Sequence, residues 1–344
     1  MTESNRTNDH MQNTSRRRQL QALQFPHGVP RLWCPALTHF LAAKEPDAKR
    51  IRAHLDHLSP FVKGILVPGS TGEGWEMNDT DIRTLLAIVL DVAHELGVHV
   101  LVGVLKTKTE EVLACLDSME DFRTHPAFVG VTICPPKGSE LTQASIQLKV
   151  SRVLGRGWPT ALYQLPQVTQ NEMTAETIAA LAKEFPNFIL FKDTSGADKV
   201  AMSGLDFDGV FMVRGSEKGG YATWHRKAGG PYDGFLLSTT NVFSRQLDEL
   251  LNLIDVGHFD AAEAISEKLE LVVEQAFSIV SEFSAGNAFA NSNKVLDHCM
   301  AYGDRALQVA PPLLYSGTQL PMNFIENAVK LLQQYSLMPT HGYY

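Results

Sequence analysis

The sequence predicts a (β/α)8 TIM barrel followed by a helical C-terminal domain. Eight short apolar runs alternate with amphipathic stretches between residues 32 and 238, the order expected of a parallel sheet surrounded by helices. Near residue 256 the strand signal ends and only helical patterns continue. A doubly wound open sheet is the rival, but it usually carries a GxGxxG turn after its first strand. Here the first strand is followed by THFLAAKEP (38–46) instead.

The eight apolar runs have the character of strands that are buried on both faces. They are short, rich in Val, Ile, Leu and Phe, and often bounded by Gly or Pro. In chain order they are LWCPAL (32–37), VKGILV (62–67), HVLVGV (99–104), FVGVTI (128–133), TALYQL (160–165), FILFK (188–192), GVFMVR (209–214) and DGFLLS (233–238).

Amphipathic helices are predicted between these strands. Residues 79–96, 109–119 and 174–185 each place apolar side chains at helical spacing on one face. Gly97 and Pro186 fall where the first and the last of these helices should stop.

The chain divides into three predicted segments. Residues 1–28 are polar, rich in Asn, Arg and Ser, and without periodicity, which predicts a disordered tail. Its Arg16-Arg17-Arg18 run lacks the apolar stretch of a targeting signal. Residues 29–255 would form the barrel and residues 256–344 a helical domain that packs on the barrel or on a neighbouring subunit. The helices predicted in that domain are 258–282, 293–300 and 322–335.

Composition excludes several classes of protein. The formal net charge of −8 argues against a partner that is nucleic acid or an anionic membrane, because such binders are basic. No run approaches the eighteen apolar residues of a membrane span. The four cysteines form no CxxC pair, so we expect no metal site and no disulfide framework, in keeping with a reducing cytoplasm.

Lys192 lies where the sixth predicted strand ends, in FILFKDTSG (188–196). An unperturbed lysine has a pKa near 10.4, and burial in an apolar barrel lowers that pKa by disfavouring the ammonium form. A neutral amine can attack a ketone and form a Schiff base. The alternative is a structural ion pair with Asp193, but adjacent residues of a strand point to opposite faces.

Two further motifs are at the predicted carboxyl ends of strands, where barrel enzymes keep their active sites. GSTGEG (69–74) offers the hydroxyls of Ser70 and Thr71 on a tight turn that suits a carboxylate or phosphate; an ordinary turn is the alternative. Tyr163 ends the fifth strand and could transfer protons as a general acid/base, or serve only as a core residue. Trp75 and Glu76 follow the turn, and we expect both to remain outside the pocket.

Taken together, the motifs GSTGE, YQLP, FKDTSG, GSE and GFLLSTTN occur in an order that resembles the dihydrodipicolinate synthase / N-acetylneuraminate lyase family. The resemblance covers roughly residues 30–340. It implies a class I lyase or aldolase on a (β/α)8 barrel with a C-terminal helical domain. It also implies a homo-oligomer, either a dimer or a tetramer, and a mechanism that needs no cofactor.

The resemblance implies a role for each motif residue. Lys192 matches the lysine that forms a Schiff base with pyruvate or another 2-keto acid, and Tyr163 matches the tyrosine that relays protons. Ser70 and Thr71 match the hydroxyl pair that holds the keto-acid carboxylate, and Thr71 is counted with the catalytic residues. The remaining substrate-binding positions that the resemblance implies are Thr194, Gly215, Ser216 and Leu236.

Departures from the sequence pattern of dihydrodipicolinate synthase narrow the range of substrates that we expect. The position of the arginine that grips a distal carboxylate is Val168 here, and Gln164 replaces an asparagine. The segment ICPPKGS (133–139) has Pro136 and Lys137, and no tyrosine, where the synthase lends a tyrosine across a subunit interface. Lys137 could bind the substrate carboxylate in place of that arginine, but we expect its side chain to be solvated instead.

The sequence therefore predicts a Schiff-base-forming lyase or aldolase. Its substrate would be pyruvate or a sugar-derived 2-keto acid, and its reaction aldol cleavage, condensation or dehydration. Two alternatives stay open: the condensation catalysed by dihydrodipicolinate synthase, and a non-catalytic barrel that binds a keto acid.

Overall fold

A computed structural model of the chain describes residues 3–344, with side chains from Gln12 onward. Eight parallel strands form a closed barrel in which each strand pairs with the next and the last pairs with the first. The predicted barrel is therefore confirmed. The strands are β1 (Leu32–Cys34), β2 (Gly64–Val67), β3 (His99–Val104), β4 (Phe128–Ile133), β5 (Thr160–Gln164), β6 (Phe188–Asp193), β7 (Phe211–Arg214) and β8 (Gly234–Leu236).

Helices surround the barrel and follow it. Those predicted at 79–96, 109–119, 174–185, 258–282, 293–300 and 322–335 are all present within a few residues. The α-helices are α1 (Glu3–Gln24), α2 (Ala48–Leu58), α3 (Asp79–Glu95), α4 (Thr109–Ser118), α5 (Gln143–Leu154), α6 (Pro166–Thr169), α7 (Ala175–Glu184), α8 (Thr240–Asp255), α9 (Phe259–Ile279), α10 (Ala288–Tyr302) and α11 (Met322–Gln334). Within the described residues, no helix is long and apolar enough to cross a bilayer.

Local hydrogen bonds explain where several helices begin. The side chain of Asp47 accepts from the first backbone N–H groups of α2, and Asn78 and Asp81 form a capping box at the start of α3. Thr142 and Thr174 cap α5 and α7 in the same way. Because these side chains satisfy N–H groups that have no partner inside the helix, each cap fixes a helix start to one position.

The barrel has two apolar layers. Side chains that point outward pack against the helices, and side chains that point inward fill the barrel. Alternation along each strand produces this division, because neighbouring residues face opposite sides of a sheet. The inward set, closed below by Phe25, comprises Trp33, Leu66, Leu101, Val129, Ala161, Ile189, Leu190, Val213 and Leu236. The adjacent pair Ile189 and Leu190 departs from the alternation because the register between β5 and β6 shifts at this point.

The expectation of a disordered tail over residues 1–28 is wrong for residues 3–24, which form α1; residues 1–2 lie outside the described range. Arg17 is fully buried and donates to four backbone carbonyls, those of Ala182, Phe185, Phe188 and Asp208. Burial lowers the pKa of Arg17 to about 10, which leaves it charged at neutral pH. Asn13 and Gln21 also donate to backbone carbonyls of the barrel region. The helix is therefore held largely by hydrogen bonds from polar side chains, which an analysis of apolar periodicity does not detect.

The C-terminal helices reach back over the barrel. Helix α10 packs against α8, α9 and α11, and most of its residues are buried, including polar ones such as Asn291, Asn293 and Lys294. The final segment returns to α2, where the Tyr343 hydroxyl donates to Asp297 on α10 at 2.5 Å. The division into units at residue 255 stays a prediction, but the helical layer itself is part of the fold.

We expect Arg17→Ala to lower the free energy of unfolding by roughly 3 kcal/mol or more, because it leaves four carbonyl groups without their donor. Urea unfolding followed by circular dichroism measures this change. The neighbouring Arg16 is exposed, so Arg16→Ala is the matched control and should change stability by no more than about 0.5 kcal/mol. Equal effects of the two substitutions would contradict the buried role of Arg17.

Candidate active site

Lys192 and Tyr163 face each other across neighbouring strands. They are register partners on β6 and β5, and the Lys192 Nζ atom lies 4.1 Å from the centroid of the Tyr163 ring. The two side chains are only 4% and 2% exposed. Asp193 points to the other face, where its carboxylate accepts from the backbone N–H of Ser195 at 2.9 Å. The alternative of a Lys192–Asp193 ion pair is therefore wrong.

Burial gives Lys192 an unusual protonation state. Removal from water lowers the pKa of Lys192 to about 8, against the opposing influence of Cys134, Glu217 and Cys34. With that pKa, about one molecule in ten carries the neutral amine at pH 7, whereas an ordinary lysine would be neutral in well under one in a thousand. The side chain can therefore act as a nucleophile near neutral pH.

Tyr163 is held in its protonated form. Burial raises the pKa of Tyr163, and nearby Cys134 adds to this, while the hydroxyls of Ser70 and Thr194 act in the opposite direction. The Tyr163 hydroxyl lies 3.4 Å from the Ser70 Oγ atom. A neutral phenol next to a neutral amine can lend a proton to an oxygen or nitrogen that gains negative charge.

The GSTGEG turn brings Ser70 and Thr71 to the same end of the barrel, and both are buried. The turn is tight: Gly72 and Gly74 both donate to the carbonyl of Gly69, at 3.1 and 2.9 Å. A side chain at Gly72 would place its Cβ 2.7 Å from the carbonyl oxygen of Ala36. Only glycine therefore allows the turn to approach the end of β1 so closely.

The other predicted positions fall into two groups. A Cβ atom at Gly215 would lie 2.7 Å from Lys192 Cε and 2.2 Å from Thr194 Oγ1, so Gly215 and Thr194 directly border the lysine. Ser216 follows in the next position and is buried. Leu236 lies in the apolar cluster inside the barrel that also contains Ala161 and Leu190, two residues beyond Gly234, whose register partner Val213 is also the partner of Lys192.

Trp75 reaches the site, which corrects our expectation that it stays outside. Its indole N–H donates to Ser70 Oγ at 2.8 Å. Together with Val168, the half-buried Trp75 packs on the apolar cluster that contains Tyr163 and Cys134. The position that matches the synthase arginine therefore adds an apolar side chain next to the tyrosine and offers no cation there.

Glu217 was part of the GSE motif but received no role from the sequence. Its carboxylate accepts from the hydroxyls of Ser238 and Thr239, each at 2.7 Å, and of Tyr221 at 3.2 Å. The backbone N–H of Thr239 donates as well, at 3.1 Å. The carboxylate thus joins the loops after β7 and β8, and its hydrogen-bonding capacity is largely used within the protein.

A second group that sequence reasoning missed connects the turn to α10. Lys294 Nζ donates to Glu73 of the turn and to the carbonyl of Leu313, and the charged pair is fully buried. Asn287, which caps α10, donates to the carbonyl of Ser70 at 3.1 Å. Because Lys294 lies 221 positions from Glu73, no local pattern in the sequence indicates the contact.

Among the described residues, one group has donor atoms close enough to hold a metal ion: His39, His54 and Asp297, all within 4.8 Å of one another. The Asp297 carboxylate, however, already accepts from the Arg50 guanidinium and the Tyr343 hydroxyl. The charge of Arg50 next to this carboxylate disfavours a divalent cation. The group is better suited to joining α2, α10 and the end of the chain.

A closed barrel that places a buried lysine and tyrosine together at the carboxyl ends of its strands defines a class of lyases and aldolases that act on pyruvate and related keto acids. A family model described as the dihydrodipicolinate synthetase family matches residues 30–286. This chain belongs to that family, and the predictions of family, fold and lyase class are confirmed.

Individual relatives are distant. A 4-hydroxy-tetrahydrodipicolinate synthase from Xanthomonas campestris pv. campestris is 30% identical over 212 residues, which are 60% of this chain and 67% of that protein. The structure of YagE from E. coli K12 is similar with a TM-score of 0.73 and 19% sequence identity. YagE is a prophage protein of the dihydrodipicolinic acid synthase family, and its structure was determined in complex with pyruvate. The match covers 90% of this chain and 99% of that chain. The structure of a 2-keto 3-deoxygluconate aldolase from Picrophilus torridus is similar with a TM-score of 0.63 and 20% sequence identity. The match covers 77% of this chain and 92% of that chain.

We expect Lys294→Met to lower the free energy of unfolding by about 3–5 kcal/mol, because it leaves the Glu73 carboxylate buried without a cation. Chemical denaturation measures the loss. Lys330→Met, at an exposed position on α11, is the control and should be nearly neutral. Coincident unfolding curves for the two variants would show that the Glu73–Lys294 pair does not stabilise the fold.

Proposed function

We propose that this chain is a class I lyase or aldolase in which Lys192 forms a Schiff base with pyruvate or a larger, for example sugar-derived, 2-keto acid. One observation carries the proposal: the buried Lys192 amine lies against Tyr163, and in the described part of the chain it has no carboxylate within ion-pair distance. A structural lysine would normally be paired when fully buried. An amine left without a counter-charge is suited to covalent catalysis.

Imine formation is the first step. The neutral Lys192 amine attacks the C2 carbonyl carbon of pyruvate, and the carbonyl oxygen takes up a proton to give a carbinolamine. That oxygen then leaves as water, and the nitrogen keeps a double bond to C2. Tyr163 would supply the proton to the departing oxygen and recover it later; the proximity of its ring to the Lys192 amine supports this role.

Bond making or breaking follows at the carbon next to the imine. The iminium withdraws electrons, so loss of a proton from C3 gives an enamine. In the condensation direction, the enamine carbon attacks an aldehyde carbonyl, and the new alkoxide takes up a proton. In cleavage, these steps run in reverse. Dehydration instead expels a hydroxyl group as water. Hydrolysis of the imine finally returns the free lysine and the keto acid.

Substrate orientation would come from the turn after β2. The Thr71 hydroxyl and the backbone N–H groups of Ser70 and Thr71 would hold the keto-acid carboxylate, while the Ser70 hydroxyl links the turn to Tyr163. Thr194, Gly215 and Ser216 would lie on the opposite side. Thr71 thereby contributes to catalysis by fixing the reacting carbon next to the amine. Leu236 would form the apolar wall that β8 contributes.

The residues around Tyr163 argue against the condensation that dihydrodipicolinate synthase catalyses. Val168 offers no charge for a distal carboxylate, and Pro136 and Lys137 provide no tyrosine to a neighbouring subunit. A homo-oligomer nevertheless remains our prediction for the quaternary state. The alternative of a non-catalytic barrel is disfavoured because simple binding gives no reason to bury an amine without a counter-charge.

We expect incubation with pyruvate and borohydride to leave a reduced covalent adduct on Lys192, identified by mass spectrometry of the digested protein. Lys192→Ala should abolish the adduct. Lys199→Ala, which changes an exposed lysine close by in the chain, should leave it intact. If the folded wild-type protein gave no adduct with pyruvate or larger 2-keto acids, and if pyruvate binding survived Lys192→Ala, the non-catalytic alternative would be favoured.

We also expect imine formation to depend steeply on pH. Because the pKa of Lys192 is about 8, the neutral fraction should rise about tenfold from pH 6 to pH 7 and level off above pH 8. The rate of borohydride trapping at low pyruvate concentration, measured between pH 6 and pH 9.5, tests this. A rate that keeps rising tenfold per unit beyond pH 9 would indicate an ordinary, solvated lysine.

A further inference from the structure

We propose that Trp75 is a positioning residue that orients the Ser70 hydroxyl toward Tyr163, so that the hydroxyl relay is complete within one protomer. The inference rests on the proposed function and extends it to a residue outside the motifs. It accounts for the absence of a tyrosine in the segment after β4, where Pro136 and Lys137 stand and Lys137 is exposed.

The geometry forms a short chain of three polar groups. The Trp75 Nε1 atom is 2.8 Å from Ser70 Oγ, and Ser70 Oγ is 3.4 Å from the Tyr163 hydroxyl oxygen. Ser70 is also held through its backbone, since the side chain of Asn287 donates to its carbonyl at 3.1 Å. Both ends of the serine are therefore fixed by groups of the same chain.

Donor and acceptor chemistry gives this chain of hydrogen bonds a direction. An indole N–H can only donate, whereas a serine hydroxyl has one proton to donate and two lone pairs that accept. Trp75 occupies one of these lone pairs, and in the proposed arrangement the serine proton points to Tyr163. The phenol oxygen then accepts from Ser70, and its own proton is free to point to a substrate bound beside Lys192. Trp75 thus favours the arrangement in which the phenol donates to the substrate.

Packing keeps the indole in place. Trp75 lies on the apolar cluster formed by Leu105, Cys134, Tyr163 and Leu165, with Val168 packed on the same cluster. Because this packing restricts the rotamers of Trp75, the indole N–H stays at a fixed position, and no further conformational entropy is lost during the reaction. The same placement would make Trp75 and Val168 an apolar border of the substrate space.

The test is a double-mutant cycle with pyruvate as the probe. Trp75→Phe removes the indole N–H and keeps an aromatic ring, and Ser70→Ala removes the hydroxyl that it orients. Two readouts are needed: the rate of Lys192 adduct formation with borohydride, which reports the imine, and the exchange of the pyruvate methyl hydrogens in D2O, followed by NMR, which reports the enamine.

We expect Trp75→Phe to slow methyl exchange by about 3- to 10-fold, the value of one neutral hydrogen bond, with a smaller effect on adduct formation. In the Ser70→Ala background the same substitution should change exchange by less than about 2-fold, because the two residues act through one hydroxyl. Fully additive losses, or a Trp75→Phe protein that exchanges at the wild-type rate, would overturn the proposal.

Two controls separate orientation from packing. Trp224 is also half-buried and donates its indole N–H at 2.8 Å, to the carbonyl of Gly219, so Trp224→Phe should leave exchange unchanged. Trp75→His keeps a ring N–H but fills less space, and it should exchange faster than Trp75→Phe. A slower histidine variant would show that only ring volume matters and would overturn the proposal.

The outcomes distinguish this inference from the function on which it rests. A wild-type protein that forms no Lys192 adduct would remove both. A wild-type protein that forms the adduct and exchanges the methyl hydrogens, but shows no coupling between Trp75 and Ser70, would remove the inference and leave the lyase function standing.

Discussion

The burial of one amine without a counter-charge is the constraint on which the rest of the structure depends. In water, deprotonating a lysine at pH 7 costs roughly 4–5 kcal/mol, and a pKa of about 8 reduces this to roughly 1–2 kcal/mol. The difference comes from desolvation inside the barrel, so the site exists only while the apolar interior keeps water away from Lys192. The lysine in turn requires Gly215 as its neighbour, because any side chain there would collide with it.

The strand register brings the two candidate catalytic side chains together, and buried polar contacts attach a helix at each end of the barrel. Register places Tyr163 opposite Lys192, and no loop movement is needed to bring them together. At the lower end Arg17 fastens α1 to carbonyls of the barrel, and at the upper end Lys294 fastens α10 to Glu73 of the hydroxyl turn. Buried charges are expensive unless fully satisfied, so each contact specifies one docking position for its helix.

The site combines the general features of its family with features of its own. The lysine, the tyrosine and the hydroxyl turn lie together at one end of the barrel, as the proposed Schiff-base mechanism would require. Around them, Val168 gives the tyrosine an apolar neighbour, and Trp75 donates to Ser70 from within the same chain. If the proposed function holds, these two residues would border the substrate space and bear on the choice of the second substrate more than on the formation of the imine.

The sequence by itself determined the strands, the barrel and the placement of Lys192 and Tyr163, because strand periodicity and the end of a strand are local properties of the chain. It did not determine that residues 3–24 form a docked helix, that Lys294 pairs with Glu73, or that Trp75 reaches Ser70. The first two depend on polar groups that meet partners more than 150 positions away. The third depends on a side-chain direction within a turn. Only the tertiary structure decides such contacts, because their energy comes from desolvated partners that the local pattern does not specify.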